Sequence, residues 1–300
     1  MNDQGNRLSH LRSYNFFSDD EFHLRLLERN PQVPYPLHTH DFHELVIVTS
    51  GSGIHFTDHA AYQILPGDVY VIEAGYAHGY RETDHLHLYN IIFDNELLKQ
   101  TFFDIKEMPG YHAIFTIEPR YRDSHDRSGR LRLSPKELTP IVKRITMIRE
   151  ELDQQHPGGG NRALALAYFI EIVVNLSRIY TQNDLSASRT IMRLADAFTY
   201  IEHHSNRTIR IDELLSITDM SHSTLNRAFH RAEGCSPINY QIRLRIEKSC
   251  RLLRTTSHSI TMIAELTGFS DSNYFSRQFR RIVHTTPRDY RKTYTSQDRV

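Results

Sequence analysis

The feature that most constrains this chain of 300 residues is an internal repeat with a period of fifty. Leu225-x-Arg227-x-Phe229-x-Arg231 returns as Phe275-x-Arg277-x-Phe279-x-Arg281, and Pro237-x-x-Tyr240 returns at the same offset as Pro287-x-x-Tyr290. Two motifs sharing one offset mark a duplicated structural unit. Each copy reads as helix, tight turn, helix. In the first, Ile211, Leu214 and Leu215 form an apolar face, Thr218-Asp219-Met220 interrupts it, and Ser221 caps a second helix running to about Ala232. In the second, Ile260, Ile263, Ala264 and Thr267 form the face, Gly268 makes the turn, and Ser270 or Asp271 caps a helix to about Val283. The run from Pro237 to Leu253 reads as one joining helix, roughly 25 Å long at about 1.5 Å per residue.

Leu225 and Phe229 lie four apart and share the buried face of their helix, as do Phe275, Phe279 and Ile282 in the second copy. The opposite faces carry His222, Ser223, Asn226, Arg227 and His230, and then Asp271, Ser272, Asn273, Ser276, Arg277 and Arg280. A single polar helix face usually does no more than meet water. Here the pattern occurs twice. Asn can pair bidentately with adenine and Arg with guanine in a major groove, while capped helix N-termini and flanking arginines hold phosphates. Two such helices about 34 Å apart would enter successive grooves on one side of a duplex. The charge agrees once it is divided. Lys plus Arg and Asp plus Glu both total 36, but Ile191–Val300 holds 17 basic and 11 acidic residues, leaving +6 there and −6 on Met1–Thr190. Neutrality excludes a general polyanion binder without excluding a specific one.

Residues from about Ile191 to Thr293 resemble the DNA-binding domain of AraC/XylS-family transcription regulators. The carrying motif is Ile263-Ala264-x3-Gly268-Phe269-Ser270-Asp271-x2-Tyr274-Phe275-x-Arg277-x-Phe279-Arg280, ending in Thr286-Pro287-x-x-Tyr290-Arg291. The resemblance implies seven helices with two helix-turn-helix units. It places base contacts on Ser223, Asn226 and Arg227, and on Ser272, Asn273, Ser276 and Arg277. One departure is Thr218-Asp219, where such a turn commonly has glycine.

The N-terminal part differs in kind. It holds 13 of the 19 histidines, eight of them between His38 and His87. Apolar β-rich runs there alternate with turn chemistry at Gly51-Ser52-Gly53 and Pro66-Gly67-Asp68, which predicts several short strands in an antiparallel barrel or sandwich. Residues 95–133 predict loops and short elements. His38-x-His40-x3-Glu44-x6-Gly51 has the spacing of the first cupin signature, and Gly67-x5-Glu73-x-Gly75-x2-His78 is close to the second. His38, His40, Glu44 and His78 can thus converge inside a small barrel. Three readings stand: a pocket for a small effector, a transition-metal site on these same four residues, or structural histidines. A metal-dependent cupin enzyme is a more distant alternative. Glu73 and Glu82 stand where the signature has proline and asparagine, and its leading glycine is missing. His55, His59, His85 and His87 are expected at the surface or at strand edges. His38–Val46 with Gly51-Ser52-Gly53 and Pro66-Gly67-Asp68 also resembles the cupin-like effector domain of sugar-responsive AraC-type regulators, the rhamnose regulators above all. That implies a saccharide pocket without catalysis.

Two helices follow. Pro135 to Gln155 carries a stripe of Leu138, Ile141, Val142, Ile145 and Ile148, and Asn161 to Thr181 is apolar almost all round. Their surplus apolar surface serves dimerisation, packing on the barrel, or both. Gln182–Ser188 is the expected linker. The architecture expected is therefore multi-domain. Residues 1–133 form a cupin-like antiparallel β-barrel, 134–188 a helical dimerisation segment and linker, and 189–300 an all-α domain with two helix-turn-helix units. The partners expected are double-stranded DNA, a small effector such as a saccharide, a second copy of the chain, and RNA polymerase. No cofactor, catalytic role or membrane is expected. No run approaches the roughly 18 uninterrupted apolar residues of a membrane span, the N-terminus lacks a signal-like apolar core, and Cys235 and Cys250 form no disulfide framework, so a reducing cytoplasm is expected.

Overall fold

Glycines that read as a turn prove to lie inside one long strand. The computed structural model describes residues 9–17, 22–94, 96–98, 104–121, 130–154, 158–182 and 189–297; 183–188, most of the expected linker, lie outside them. Contacts divide the chain into two units, Met1–Met192 and Arg193–Val300. In the first, the described strands are β1 (Ser9–Leu11), β2 (Leu24–Arg29), β3 (Tyr35–His40), β4 (His43–Thr57), β5 (Ala61–Ile64), β6 (Asp68–Ile72), β7 (His78–Phe93) and β8 (Leu131–Arg132). They form one sheet ordered β1-β3-β7-β4-β6-β8, with β2 also on β7 and β5 also on β4. Its pairs are antiparallel except β1 with β3, which is parallel.

β4 and β7, of 15 and 16 residues, are long rather than short. Gly51-Ser52-Gly53 does not separate two strands. It lies where the β4–β7 register shifts at Ser50, Ser52 and Ile54, a set of bulges that bend both strands. Gly51 has φ +71°, and a Cβ there would sit 2.2 Å from the His85 carbonyl oxygen, so only glycine fits the bend. Pro66-Gly67-Asp68 does turn the chain, from β5 into β6. The bent sheet encloses Val46, Val48, Tyr62, Ile64, Tyr70, Ile72, Tyr80, Leu86 and Leu88.

Residues 105–121 are mostly helical turns and bury Ile105, Tyr111, Ile114 and Ile117. Helix α1 (Pro135–Asp153) starts at a capping box in which Glu137 accepts from the Ser134 backbone N–H at 2.7 Å. Of the predicted stripe, Ile141, Ile145 and Ile148 are buried. Helix α2 (Asn161–Gln182) buries Ala165, Phe169, Ile172, Val173, Leu176 and Tyr180, and the Phe169 ring lies 5.1 Å from Phe93 of β7. By length and composition α2 could cross a membrane. One face of it packs on its own unit, through Ala165, Phe169, Ile172, Val173, Leu176 and Tyr180, and the rest of its apolar surface is left open.

Helix α3 (Arg189–His203) begins just before the division and runs into the second unit, which contains the repeat: α4 (Ile211–Thr218), α5 (His222–Glu233), α6 (Pro237–Thr255), α7 (Ile260–Leu266), α8 (Ser272–Val283) and α9 (Pro287–Gln297). The fifty-residue offset extends to the helix ends. Ser221 and Asp271 cap α5 and α8, and Gly234 and His284 end them with φ +70° and +62°. Asp219, in place of the common glycine, adopts φ +52°, and Gly268 adopts φ +89°. A Cβ on Gly268 would meet the Asn206 carbonyl oxygen at 2.5 Å. Phe198, Phe229 and Tyr240 pack the first half, and Ile246, Ile263, Phe275 and Phe279 the second. Helix α6 ties the halves together. Its Arg245 donates to the carbonyls of Ser205 (2.6 Å) and Arg207 (2.7 Å), and Gln241 donates to Arg207 as well (2.7 Å). A buried guanidinium satisfied by main-chain acceptors fixes the 205–207 turn against the joining helix.

Candidate functional site

Burial of Leu225 and Phe229, and of Phe275 and Phe279, turns the opposite faces of α5 and α8 outward. Ser223, Arg227, Asn273 and Arg277 are exposed, whereas Asn226, Ser272 and Ser276 are half-buried. All seven predicted base-contacting residues thus sit on the two second helices of the repeat. Their side chains are not equally available. Ser276 Oγ donates to the Ser272 carbonyl at 2.9 Å and Ser223 Oγ is 3.2 Å from Ser221 Oγ, while Arg277 lies over the exposed Tyr274 ring, 5.8 Å from its centre. At that distance the ring face attracts the guanidinium weakly. Tyr274 is the residue of this face that sequence reasoning passed over, although it stands inside the motif.

At the other site, β3 ends on His40, β4 begins at His43, and His38 of β3 pairs in register with His78 of β7. The four predicted residues therefore meet at one end of the sheet. His38, His40, Glu44 and His78 are each at most 4% exposed. His40 Nδ1 is 2.6 Å from the Phe42 carbonyl oxygen, an acceptor only, so Nδ1 carries the proton and the Nε2 lone pair faces Glu44. His78 Nδ1 faces the Tyr76 carbonyl oxygen at 3.5 Å. Glu44 lies 3.8 Å from His40 Nε2 through one oxygen and 3.8 Å from His78 Nε2 through the other. Burial pushes the Glu44 carboxyl up to about 7, with Arg29 pulling the other way. Burial pulls His40 down to about 4, and lowers His38 and His78 too.

Three of the four, His38, Glu44 and His78, line a cavity of about 270 Å³ with Arg29, Gln32, Tyr35, Tyr80, Asn90 and apolar side chains including Phe16 and Leu27; His40 lies behind it. Asn90 is 6% exposed and its Oδ1 accepts no hydrogen bond. Sequence spacing did not point to Arg29, Gln32 or Asn90, which come from β2, the following loop and the last part of β7. His55 is a correction. Expected at the surface or a strand edge, it is 1% exposed inside the sheet, its ring about 5 Å from Tyr62, Tyr70 and Tyr80, because the β4 bulges reset the inward-facing positions. His59 and His85 are exposed as expected, and His87 is half-buried beside Glu28.

A cavity-bearing sheet domain and a duplicated helix-turn-helix unit on one chain define a DNA-binding regulator with its own ligand-binding domain. Comparison with known proteins agrees: residues 23–167 match the AraC-like ligand binding domain, and 214–293 match a helix-turn-helix domain. The HTH-type transcriptional activator RhaS of Escherichia coli O1:K1 is 31% identical over 284 residues, covering 94% of this chain and 96% of that protein. The HTH-type transcriptional activator RhaR of Mannheimia succiniciproducens is 29% identical over 288 residues, 96% of this chain and 97% of that protein. The chain belongs to the AraC family of transcription regulators. Its relatives are regulators rather than cupin enzymes, and so is this protein.

Proposed function

We propose that the protein is a one-component transcription activator, working in the cytoplasm as a homodimer, whose sheet domain binds a saccharide and whose α5 and α8 read two segments of operator DNA. The observation that carries the effector reading is the cavity: buried donors and acceptors from β3, β4 and β7, with the exposed Arg29 of β2, converge on a space of about 270 Å³. A hydroxyl-rich ligand needs such groups to offset its own desolvation, and apolar walls such as Leu27 and Phe16 suit the C–H faces of a sugar ring. Similarity to RhaS and RhaR supports activation as the outcome. Seven residues of each chain, Ser223, Asn226, Arg227, Ser272, Asn273, Ser276 and Arg277, make the base contacts. The part of α2 that its own unit leaves open, including Leu164 at 46% exposure, supports pairing with a second copy. RNA polymerase is the partner through which bound protein raises transcription. Ligand binding acts by favouring one state of the protein over another, or it could not change DNA binding.

A thermal-shift screen of the full chain against neutral monosaccharides tests the effector reading. A true effector at 100 times its Kd adds about 2.7 kcal/mol to stability. Asn90→Ala should weaken that response at least tenfold, because the cavity's orphaned acceptor is removed. A panel with no stabilising sugar, or a response indifferent to Asn90→Ala, would contradict it.

A further inference from the structure

Alternation along β2 gives neighbouring residues opposite surroundings. Leu27 and Arg29 line the cavity beside Asn90, the register partner of Leu27. Glu28, between them, turns the other way, where its carboxylate is taken up by Arg149, His87 and the Tyr89 hydroxyl. The acid next to Arg29 on its own strand is therefore committed elsewhere. Glu44, the acid of the cavity, is turned to the imidazoles, 3.8 Å from His40 Nε2 and 3.8 Å from His78 Nε2. Among the described residues, nothing forms an ion pair, hydrogen bond or ring contact with the Arg29 guanidinium. Other arginines of this unit show what such a group takes: Arg120, Arg132, Arg144 and Arg149 each hold a carboxylate.

A guanidinium is always charged, and its rigid fork of donors matches a planar carboxylate. Asn90 Oδ1, buried without a hydrogen bond, asks instead for a hydroxyl donor. One ligand can answer both. We infer that the effector is a saccharide bearing a carboxylate, such as a uronate or an aldonate, with the carboxylate on the Arg29 guanidinium and a hydroxyl on Asn90 Oδ1. This rests on the effector reading above and narrows it, since a neutral sugar makes the hydroxyl contacts and lacks the charged one. A phosphate dianion fits less well, because Arg29 is the one Lys or Arg among the described residues lining the cavity. Arg29 is exposed, so water and salt weaken the pair, and the gain over a neutral sugar is about tenfold rather than the larger effect of a buried pair.

Isothermal titration of the full chain, without DNA, tests this. D-glucose, D-galactose and D-mannose are each compared with the matching uronate, aldonate and 6-phosphate. The expected result is that at least one sugar acid binds about tenfold or more tighter than its parent hexose. Arg29→Gln should abolish that preference by weakening the acid and leaving the hexose unchanged, while Arg29→Lys, which keeps the charge and loses the fork, retains part of it. Far-UV circular dichroism checks that these variants at an exposed position are folded. A hexose that binds as tightly as its acids, or an acid preference that survives Arg29→Gln, overturns the carboxylate and leaves the saccharide reading standing. A 6-phosphate that binds tighter than the acids and depends on Arg29 overturns it in favour of a phosphorylated sugar. Binding of none of these compounds brings down the saccharide reading together with this one.

Discussion

Keeping an imidazole neutral in a protein interior ties stability to pH, and His112 shows this away from the cavity. Fully buried, with Nε2 donating to the Lys106 carbonyl at 2.7 Å, it is pushed by burial from 6.5 down to about 3. Between those values the unfolded chain binds a proton that the folded chain refuses. Its contribution is therefore complete above 6.5 and lost as pH falls, with about 2 kcal/mol gone by pH 5. Glu44 works in the opposite sense: its folded value of about 7 lies above its unfolded 4.5, so its contribution is lost as pH rises. Comparing His112→Gln with the unaltered protein isolates the first effect. Denaturant unfolding of the N-terminal unit at pH 7 and pH 5 should show a drop smaller by about 2 kcal/mol in the variant. An equal drop would contradict the assignment.

Helix ends and strand bends carry the next level of consequence. Gly234 and His284 end α5 and α8 in the same left-handed conformation, yet only one is glycine. Relieving that strain in His284→Gly should raise stability by about 1 kcal/mol in chemical denaturation. Gly268→Ala should lower it by more than about 2 kcal/mol, since φ +89° and the Asn206 carbonyl both oppose a Cβ. A neutral result at Gly268 would mean that the turn relaxes freely. These ends also show what the sequence makes legible. Caps, turns and apolar spacing are local, so the repeat could be read down to Ser221, Gly268 and Asp271. The sheet could not be read so far. The bulges around Gly51 depend on β4 pairing with β7, some thirty residues on, and they both merged two expected strands and carried His55 inward. The four signature residues were legible because their spacing is fixed by a strand end and a turn. Arg29, Gln32 and Asn90 were not, because only the closed sheet brings them together.

The chain as a whole is neutral only as a sum of −6 before residue 191 and +6 after it. So modest a positive surplus limits non-specific attraction to phosphates, and discrimination must come from base contacts. The joining helix, with Arg245 and Gln241 holding the 205–207 turn, makes α5 and α8, the proposed reading helices, parts of one unit. They should therefore read two half-sites at a fixed spacing rather than independently. Selection of bound sequences from a random duplex pool, run with the unaltered chain, Arg227→Ala and Arg277→Ala, measures this. The expected outcome is a motif with two short elements about 10–10.5 base pairs apart, each arginine variant relaxing one element only, at about 1–3 kcal/mol per lost contact. A single uninterrupted element, or two variants that relax the same positions, would contradict the assignment of α5 and α8 as separate reading heads.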